Sequence, residues 1–191
     1  MPETSDQHLI VKALAGDGPA FRQLVERHQG FVYRLACRFV GTVGDAEDIT
    51  QEAFIRLWKN LHRYKPEIKV TTWLYKIVTN LCLDFLKSRD NRSNKRMTDV
   101  NEHTGIPSSL TTDQPLLTEE LHVAVERLTA GLSPKQKAVF VLRDLEEVEM
   151  EDIAQILAMD AGQVKSNLYY ARRKIGDLIN IYYQTRKAEK P

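Results

Sequence analysis

The chain reads as an all-α protein: two small helical domains joined by a flexible linker. Three observations predict this. Helical periodicity runs through nearly the whole length, and no segment sustains the period-two alternation of a half-buried strand. Helix-start signals recur, Asp17-Gly18-Pro19 early in the chain and Ser133-Pro134-Lys135-Gln136 late, each pairing a capping side chain with a proline in the first turn. Between them, Ser93 to Leu117 holds no aromatic residue but two prolines, a glycine and many Ser, Thr, Asn and Asp residues, the composition of a linker. The expected organisation is a first domain over residues 1–92, a linker over 93–117 and a second domain over 118–185.

The elements follow in order. A first helix should begin near Asp6 and pause at Gly16-Asp17-Gly18-Pro19, where Asp17 caps its successor. That second helix carries Phe21, Leu24, Val25, Phe31, Val32, Leu35 and Phe39 and should stop at Gly41. A third runs from about Asp45 to Leu61, and Thr71 or Thr72 opens a fourth that extends to about Arg89. After the linker, helix signals return at Thr118-Glu119-Glu120-Leu121, followed by the capping box at Ser133.

Composition excludes several classes. The 191 residues suffice for one large or two small domains, and 42% hydrophobic with 28% charged content is that of a soluble globular protein. No apolar run approaches the roughly 20 residues needed to span a bilayer. The polar start Met1-Pro-Glu-Thr-Ser-Asp-Gln-His is unlike a signal peptide. Cys37 and Cys82 lie within apolar helical patterns and read as small buried hydrophobes in a reducing compartment. The five histidines form no metal-ligand spacing. A cytoplasmic protein without metal or cofactor is expected.

The segment from Met150 to Lys174 reads as a helix-turn-helix. Ile153, Ala154 and Leu157 give the first helix a short apolar face, and Asp160 is placed to cap the second. At about 100° per residue, Val164, Leu168, Ala171, Ile175 and Leu178 fall in one arc that packs on the domain. Gln163, Ser166, Tyr169, Tyr170 and Arg173 point the other way, with Lys165 and Arg172 at the margins. From Ala161 to Lys174 there are four basic residues and no acidic one, a local concentration in a chain of net charge +1. This pattern suits DNA; it also suits a helical hairpin with a solvated basic face. Ala158 occupies the turn position where a glycine is usual, so mild strain or an altered turn is expected.

Two faces of the first domain carry chemistry. In Asp45-Ala-Glu-Asp-Ile-Thr-Gln-Glu-Ala-Phe-Ile-Arg-Leu-Trp58, Ile49, Ala53, Phe54, Leu57 and Leu61 cover the core side. Asp45, Asp48 and Glu52 share the opposite face with Gln51 and the apolar Ile55. Such a face fits a basic partner helix, and equally a solvated helix start favoured by the macrodipole. In the fourth helix Leu74, Ile77, Val78, Leu81, Cys82 and Phe85 form the core stripe, while Lys76, Asn80, Asp84 and Lys87 line the other face with Trp73 at its edge. Amides and cations near Tyr64, Trp73 and Tyr75 are what single-stranded nucleic acid needs, although aromatics of this kind also fill small cores.

The phrase Asp45 to Trp58, followed by Thr72-Trp-Leu-Tyr-Lys-Ile-Val-Thr-Asn80, resembles region 2 of the extracytoplasmic-function (ECF) sigma factors of the sigma-70 family, and Leu132 to Lys174 is similar to their region 4. The resemblance implies that Asp45, Asp48, Gln51, Glu52 and Ile55 dock on the clamp helices of core RNA polymerase, whose β and β′ subunits are the expected partners. It implies that the loop Arg63–Thr71 with Tyr64, Lys76, Asn80, Asp84 and Lys87 melts and reads the −10 element of promoter DNA. Gln163, Lys165, Ser166, Asn167, Tyr169, Tyr170, Arg172 and Arg173 would face the −35 element in the major groove. Asn167 and Tyr170 stand where many members carry Arg, and Tyr169 where His is frequent, so the promoter sequence does not carry over. An anti-sigma factor, anchored in the membrane in many members, is a further implied partner. The alternative is a free-standing helix-turn-helix regulator, which usually needs a dimer to place two helices one turn apart; nothing in this chain reads as a dimer helix. An enzyme is disfavoured by the lack of a Gly-rich phosphate loop, nucleophile motif or metal cluster.

Overall fold

The computed structural model describes residues 5–96, 125 and 127–188, and every regular element among them is helical. Helix α1 spans Asp6–Leu14; the Ser5 hydroxyl caps it by accepting from the His8 amide at 3.3 Å. Gly16, at φ 92°, turns the chain where a side chain would be strained. Helix α2 covers Gly18–Phe39, capped as expected by Asp17, whose carboxylate accepts from the Ala20 amide at 3.1 Å. Helix α3, Val43–Lys59, starts two residues before Asp45, because Thr42 rather than a later residue supplies the cap, accepting from the Asp45 amide at 3.1 Å. A single 3₁₀ turn at Leu61–Arg63 leads into the loop 64–69.

Helix α4 spans Val70–Arg96 and so runs past its expected end near Arg89. The residues after Arg89 are polar but contain neither glycine nor proline, so nothing in them breaks the helix. Residues 93–96, expected in the linker, therefore continue α4. The remaining linker residues and the start signal at Thr118 lie outside the described residues.

In the second bundle, after helical residues that end at Thr129, α5, Pro134–Phe140, carries the predicted reciprocal cap: Ser133 Oγ accepts from the Gln136 amide at 3.3 Å, and Gln136 Oε1 accepts from the Ser133 amide at 3.1 Å. Its last turn widens into a π-helical turn, Val141–Leu145, which periodicity did not announce. Helix α6 is Met150–Leu157 and helix α7 is Ala161–Ala188.

Two cores meet at α5. Leu24, Leu35, Phe39, Leu57, Leu74 and Val78 lead the first, which is closed by α1 to α4. Ile153, Ile156, Val164 and Leu168 lead the second. Ala138 of α5 and Val141 of the π turn, three residues apart, belong to the first core; Val139 of α5 and Leu142 of the π turn, also three apart, belong to the second. One short helix and the π turn that continues it are thus shared by both bundles. Leu178, expected in the buried stripe of α7, is 40% exposed; Ile175 is the last residue of that stripe buried among the described residues. The apolar face of α6 also turns slightly from expectation, with Ile156 fully buried and Ala154 and Leu157 only half-buried.

Candidate functional site

The exposed faces form three sites. The first lies on α3. Asp48, Gln51 and Ile55 are exposed, and Asp45 and Glu52 half-exposed, all on one stripe opposite the buried Ile49, Ala53 and Leu57. Asp45 is held by the Thr42 hydroxyl, which donates to its carboxylate at 2.6 Å, and Glu52 accepts from Arg56 at 2.8 Å. Asp48 and Gln51 make no such bond among the described residues. Between α3 and α4 runs an open groove of about 230 Å³ with Asp45, Asp48 and Glu52 on one rim and Ile49, Leu81 and Phe85 beneath. An acidic rim over an apolar floor accepts a helix that presents both cations and aliphatic residues.

Two contributions to this surface escaped the sequence. Leu81 and Phe85 read as core residues of α4, yet they also wall the groove. Trp58, 47% exposed and packed on Phe21 with ring centroids 4.7 Å apart, extends the same stripe beyond Ile55. The spacing from Gln51 and Ile55 to Trp58, seven and three residues, was the available signal.

The second site is the outer face of α4 with the loop before it. Lys76, Asn80, Asp84 and Lys87 are all exposed and follow one another at four-, four- and three-residue intervals, so they form a single stripe. Tyr64 stacks on Trp73 with centroids 5.7 Å apart and planes 27° apart, fixing the aromatic base of the loop beside that stripe. The loop is tied from the other side by α1, where Gln7 donates to the Pro66 carbonyl at 2.8 Å. Tyr64 is half-buried, and desolvation pushes its phenol pKa upward. Tyr75 belongs elsewhere: its ring sits edge-on to Phe31 at 4.8 Å, and it is half-buried against both cores instead of serving the stripe.

The third site is α7 in its helix-turn-helix setting. Ala158 adopts the left-handed conformation expected of that turn, φ 50° and ψ 49°, despite its side chain. Asp160 caps α7 by accepting from the Gln163 amide at 2.8 Å, and Gln163 Oε1 accepts in return from the Asp160 amide at 3.3 Å. Gln163 is therefore committed to a capping box. Asn167 is likewise engaged, its amide donating to the Gln163 carbonyl at 2.8 Å. Arg172 forks onto Asp144 at the end of the π turn, with bonds of 2.6 and 2.9 Å that hold its pKa above the usual arginine value. Of the eight side chains assigned to this face, these three are thus used within the domain. Lys165, Ser166 and Arg173 project into solvent with no bond of this kind among the described residues, and Tyr169 and Tyr170 pair with each other edge to face at 5.4 Å.

The Sigma-70 region 2 family model matches residues 24–92, which hold the first two sites, and the Sigma-70 region 4 model matches residues 122–175, which hold the third. The sigma-E factor of Haemophilus influenzae is 30% identical over 183 residues, covering 93% of this chain and 96% of its own length. The chain belongs to the ECF sigma factors of the sigma-70 family. The Escherichia coli sigma-E factor is also 30% identical over 183 residues, and Bacillus subtilis SigW is 29% identical over 172 residues, or 87% of this sigma factor and 92% of SigW. Among solved structures the same fold occurs in CnrH bound to the cytosolic domain of CnrY, at a TM-score of 0.67 and 22% identity over 93% of this chain and 99% of that one. It recurs in the sigma factor RpoE bound to the anti-sigma factor NepR from Bartonella quintana, at a TM-score of 0.63 and 19% identity over 84% and 97%.

Proposed function

We propose that this sigma factor divides initiation among its three exposed sites. The acidic stripe of α3, Asp45, Asp48, Gln51, Glu52 and Ile55, docks on the clamp helices of core RNA polymerase. Lys76, Asn80, Asp84 and Lys87, with Tyr64 at the loop base, hold the melted −10 element. Helix α7 enters the major groove at the −35 element, where Tyr169, Tyr170, Ser166 and Arg173 face base edges and Lys165 meets a phosphate. The observation carrying this reading is that three chemically distinct exposed stripes fall within the two matched regions: one acidic, one amide-and-cation, one basic.

Within that division Gln163, Asn167 and Arg172 position α7 and do not read DNA. Each already bonds within region 4, and the loss of that bond would cancel most of what a new bond to DNA contributes. RNA synthesis belongs to polymerase, so the chain supplies no catalytic residue. It acts in the cytoplasm, and an anti-sigma factor is a further partner; in the solved structures of similar fold CnrH is bound to the cytosolic domain of CnrY and RpoE to the anti-sigma factor NepR. The test is transcription by core polymerase reconstituted with the purified chain on a random promoter library, followed by sequencing of the RNA. Transcripts that share upstream −10 and −35 sequences are expected. Core polymerase giving the same transcripts without the chain would refute the reading. So would a chain that binds DNA specifically but never associates with polymerase, which is the behaviour of a free-standing regulator.

A further inference from the structure

The loop 64–69 is held from a helix that precedes the region 2 match. Helix α1 begins at Asp6 because the Ser5 hydroxyl caps it, and Leu9, Ile10 and Ala13 anchor its inner face in the first core. Its first two residues then serve different elements. Asp6 faces α2: Arg27 Nη1 donates to one carboxylate oxygen at 2.6 Å, and His28, 7% exposed, meets the other at 2.9 Å. Gln7 faces the loop and donates to the Pro66 carbonyl at 2.8 Å. The same side chain meets the Tyr64 hydroxyl: desolvation raises the phenol pKa, and the bond with Gln7 works against that rise. Asp6 and Gln7 both lie outside residues 24–92, the span matched by the region 2 family model.

The loop has little else to hold it. Residues 65–69 are exposed. Among the described residues, the stretch 65–68 is bonded by the turn from the Ile68 amide to the Lys65 carbonyl at 3.0 Å and by Gln7. Proline stiffens its own φ and biases the residue before it toward extended backbone, so Gln7 grips the loop at its stiffest point. Tyr64 is thereby held twice, its ring by the stack on Trp73 and its hydroxyl by Gln7. Unstacked bases are captured best by partners already in place. A loop that orders only on capture subtracts its ordering cost from binding.

Resting on the reading of this loop as part of the −10 site, we propose that Gln7 is a positioning residue for promoter melting. It holds the loop in the shape that receives unstacked bases, while Asp6, through Arg27 and His28, sets where Gln7 stands. Gln7 acts through the loop and not by touching a base. The melting apparatus therefore extends ahead of region 2 into α1. It is separate from docking, because the acidic stripe of α3 takes no residue from α1.

Gln7→Glu is the informative change. It keeps the shape of the side chain and removes both N–H donors, yet it places an acid in the first turn, which favours the helix itself. Amide hydrogen exchange over residues 64–69 of the free chain should then run about twofold to tenfold faster, the weight of one net hydrogen bond, while far-ultraviolet dichroism stays unchanged. On a duplex promoter, holoenzyme reconstituted with this variant should isomerise to the open complex about twofold to tenfold more slowly, with core binding and initial promoter affinity unchanged. A loss of fold would move all of these together. Gln7→Lys keeps a donor of similar reach and should return exchange and isomerisation to near the wild-type values. Unchanged exchange in Gln7→Glu, or faster exchange without slower isomerisation, overturns the proposal, and so does an equal loss with lysine. Asn80→Ala with Lys76→Ala, run beside it, separates the two readings. If that pair slows isomerisation and Gln7→Glu does not, the −10 assignment stands and the role of Gln7 falls; if neither slows it, the −10 assignment falls as well.

Discussion

Replacing Ala158 by glycine should stabilise region 4. Ala158 ends α6 at φ 50° and ψ 49°, and its amide bonds to the Ala154 carbonyl, so the surrounding turn holds it there. A residue with a Cβ pays about 1–2 kcal/mol for this conformation. Glycine removes that cost but raises the conformational entropy of the unfolded chain, worth about 0.5–1 kcal/mol in the other direction. The methyl group itself is exposed and contributes little burial. The net expectation is a gain of about 0.5–1 kcal/mol. If the chain melts as one body of this size, that gain lifts Tm by about 1–4 °C; if region 4 melts alone, by about 2–8 °C. Circular dichroism and calorimetry on Ala158→Gly, beside Ala158→Val, measure both the sign and the unit that melts. Valine, branched at Cβ, should lower Tm. A glycine variant that melts at or below the wild-type temperature would refute the reasoning, since the turn would then not be strained at its Cβ.

The remaining expectations concern the three stripes. Asp48→Lys with Glu52→Lys should abolish binding to core polymerase while far-ultraviolet dichroism stays unchanged; undiminished binding by the folded double variant defeats the assignment of α3. Asn80→Ala with Lys76→Ala should impair open complexes on duplex promoters more than on templates already melted at the −10 element, and equal defects on both would move the fault to folding or docking. Arg173→Ala should change the preferred −35 base at one position, at a cost of about 1–3 kcal/mol. Lys165→Ala should weaken all promoters alike and lower the salt slope by about one unit. Selection from a randomised −35 library separates the last two, and the reverse pattern would mean that α7 is rotated in the groove.

Much of this architecture was legible because local signals and burial agreed. Asp17, the Ser133–Gln136 box and Asp160 cap the helices that their spacing announced, and the stripes of α2 and α3 are buried where periodicity put them. The failures have separate physical causes. Leu178 fits the arc of α7, but periodicity reports a face and not how far the opposing core reaches. The capping role of Gln163 was readable from its spacing to Asp160; the helix-turn-helix reading drew attention to its outward direction instead. Arg172 looked free because its partner Asp144 lies in a π turn, whose extra residue per turn shifts every later side chain out of the α-helical register. The contact between Arg38 and Glu146 had no signal at all: the two are 108 residues apart and each resembles an ordinary surface charge until the bundles meet.

The two tryptophans of the chain both lie in region 2, and each stands beside a different stripe. Trp58, half in solvent, lies on α3 beyond the stripe proposed to meet polymerase, while Trp73 is stacked on Tyr64 at the base of the loop proposed to hold the −10 element. Region 4 contains none, so its movements are dark in indole emission unless they alter region 2. The native chain therefore carries its own optical labels. With Trp73→Phe, quenching or a spectral shift of Trp58 would time the arrival of polymerase; with Trp58→Phe, the remaining indole would time the unstacking of bases onto the loop. The order of docking and melting could then be followed in a stopped-flow instrument without attaching a dye.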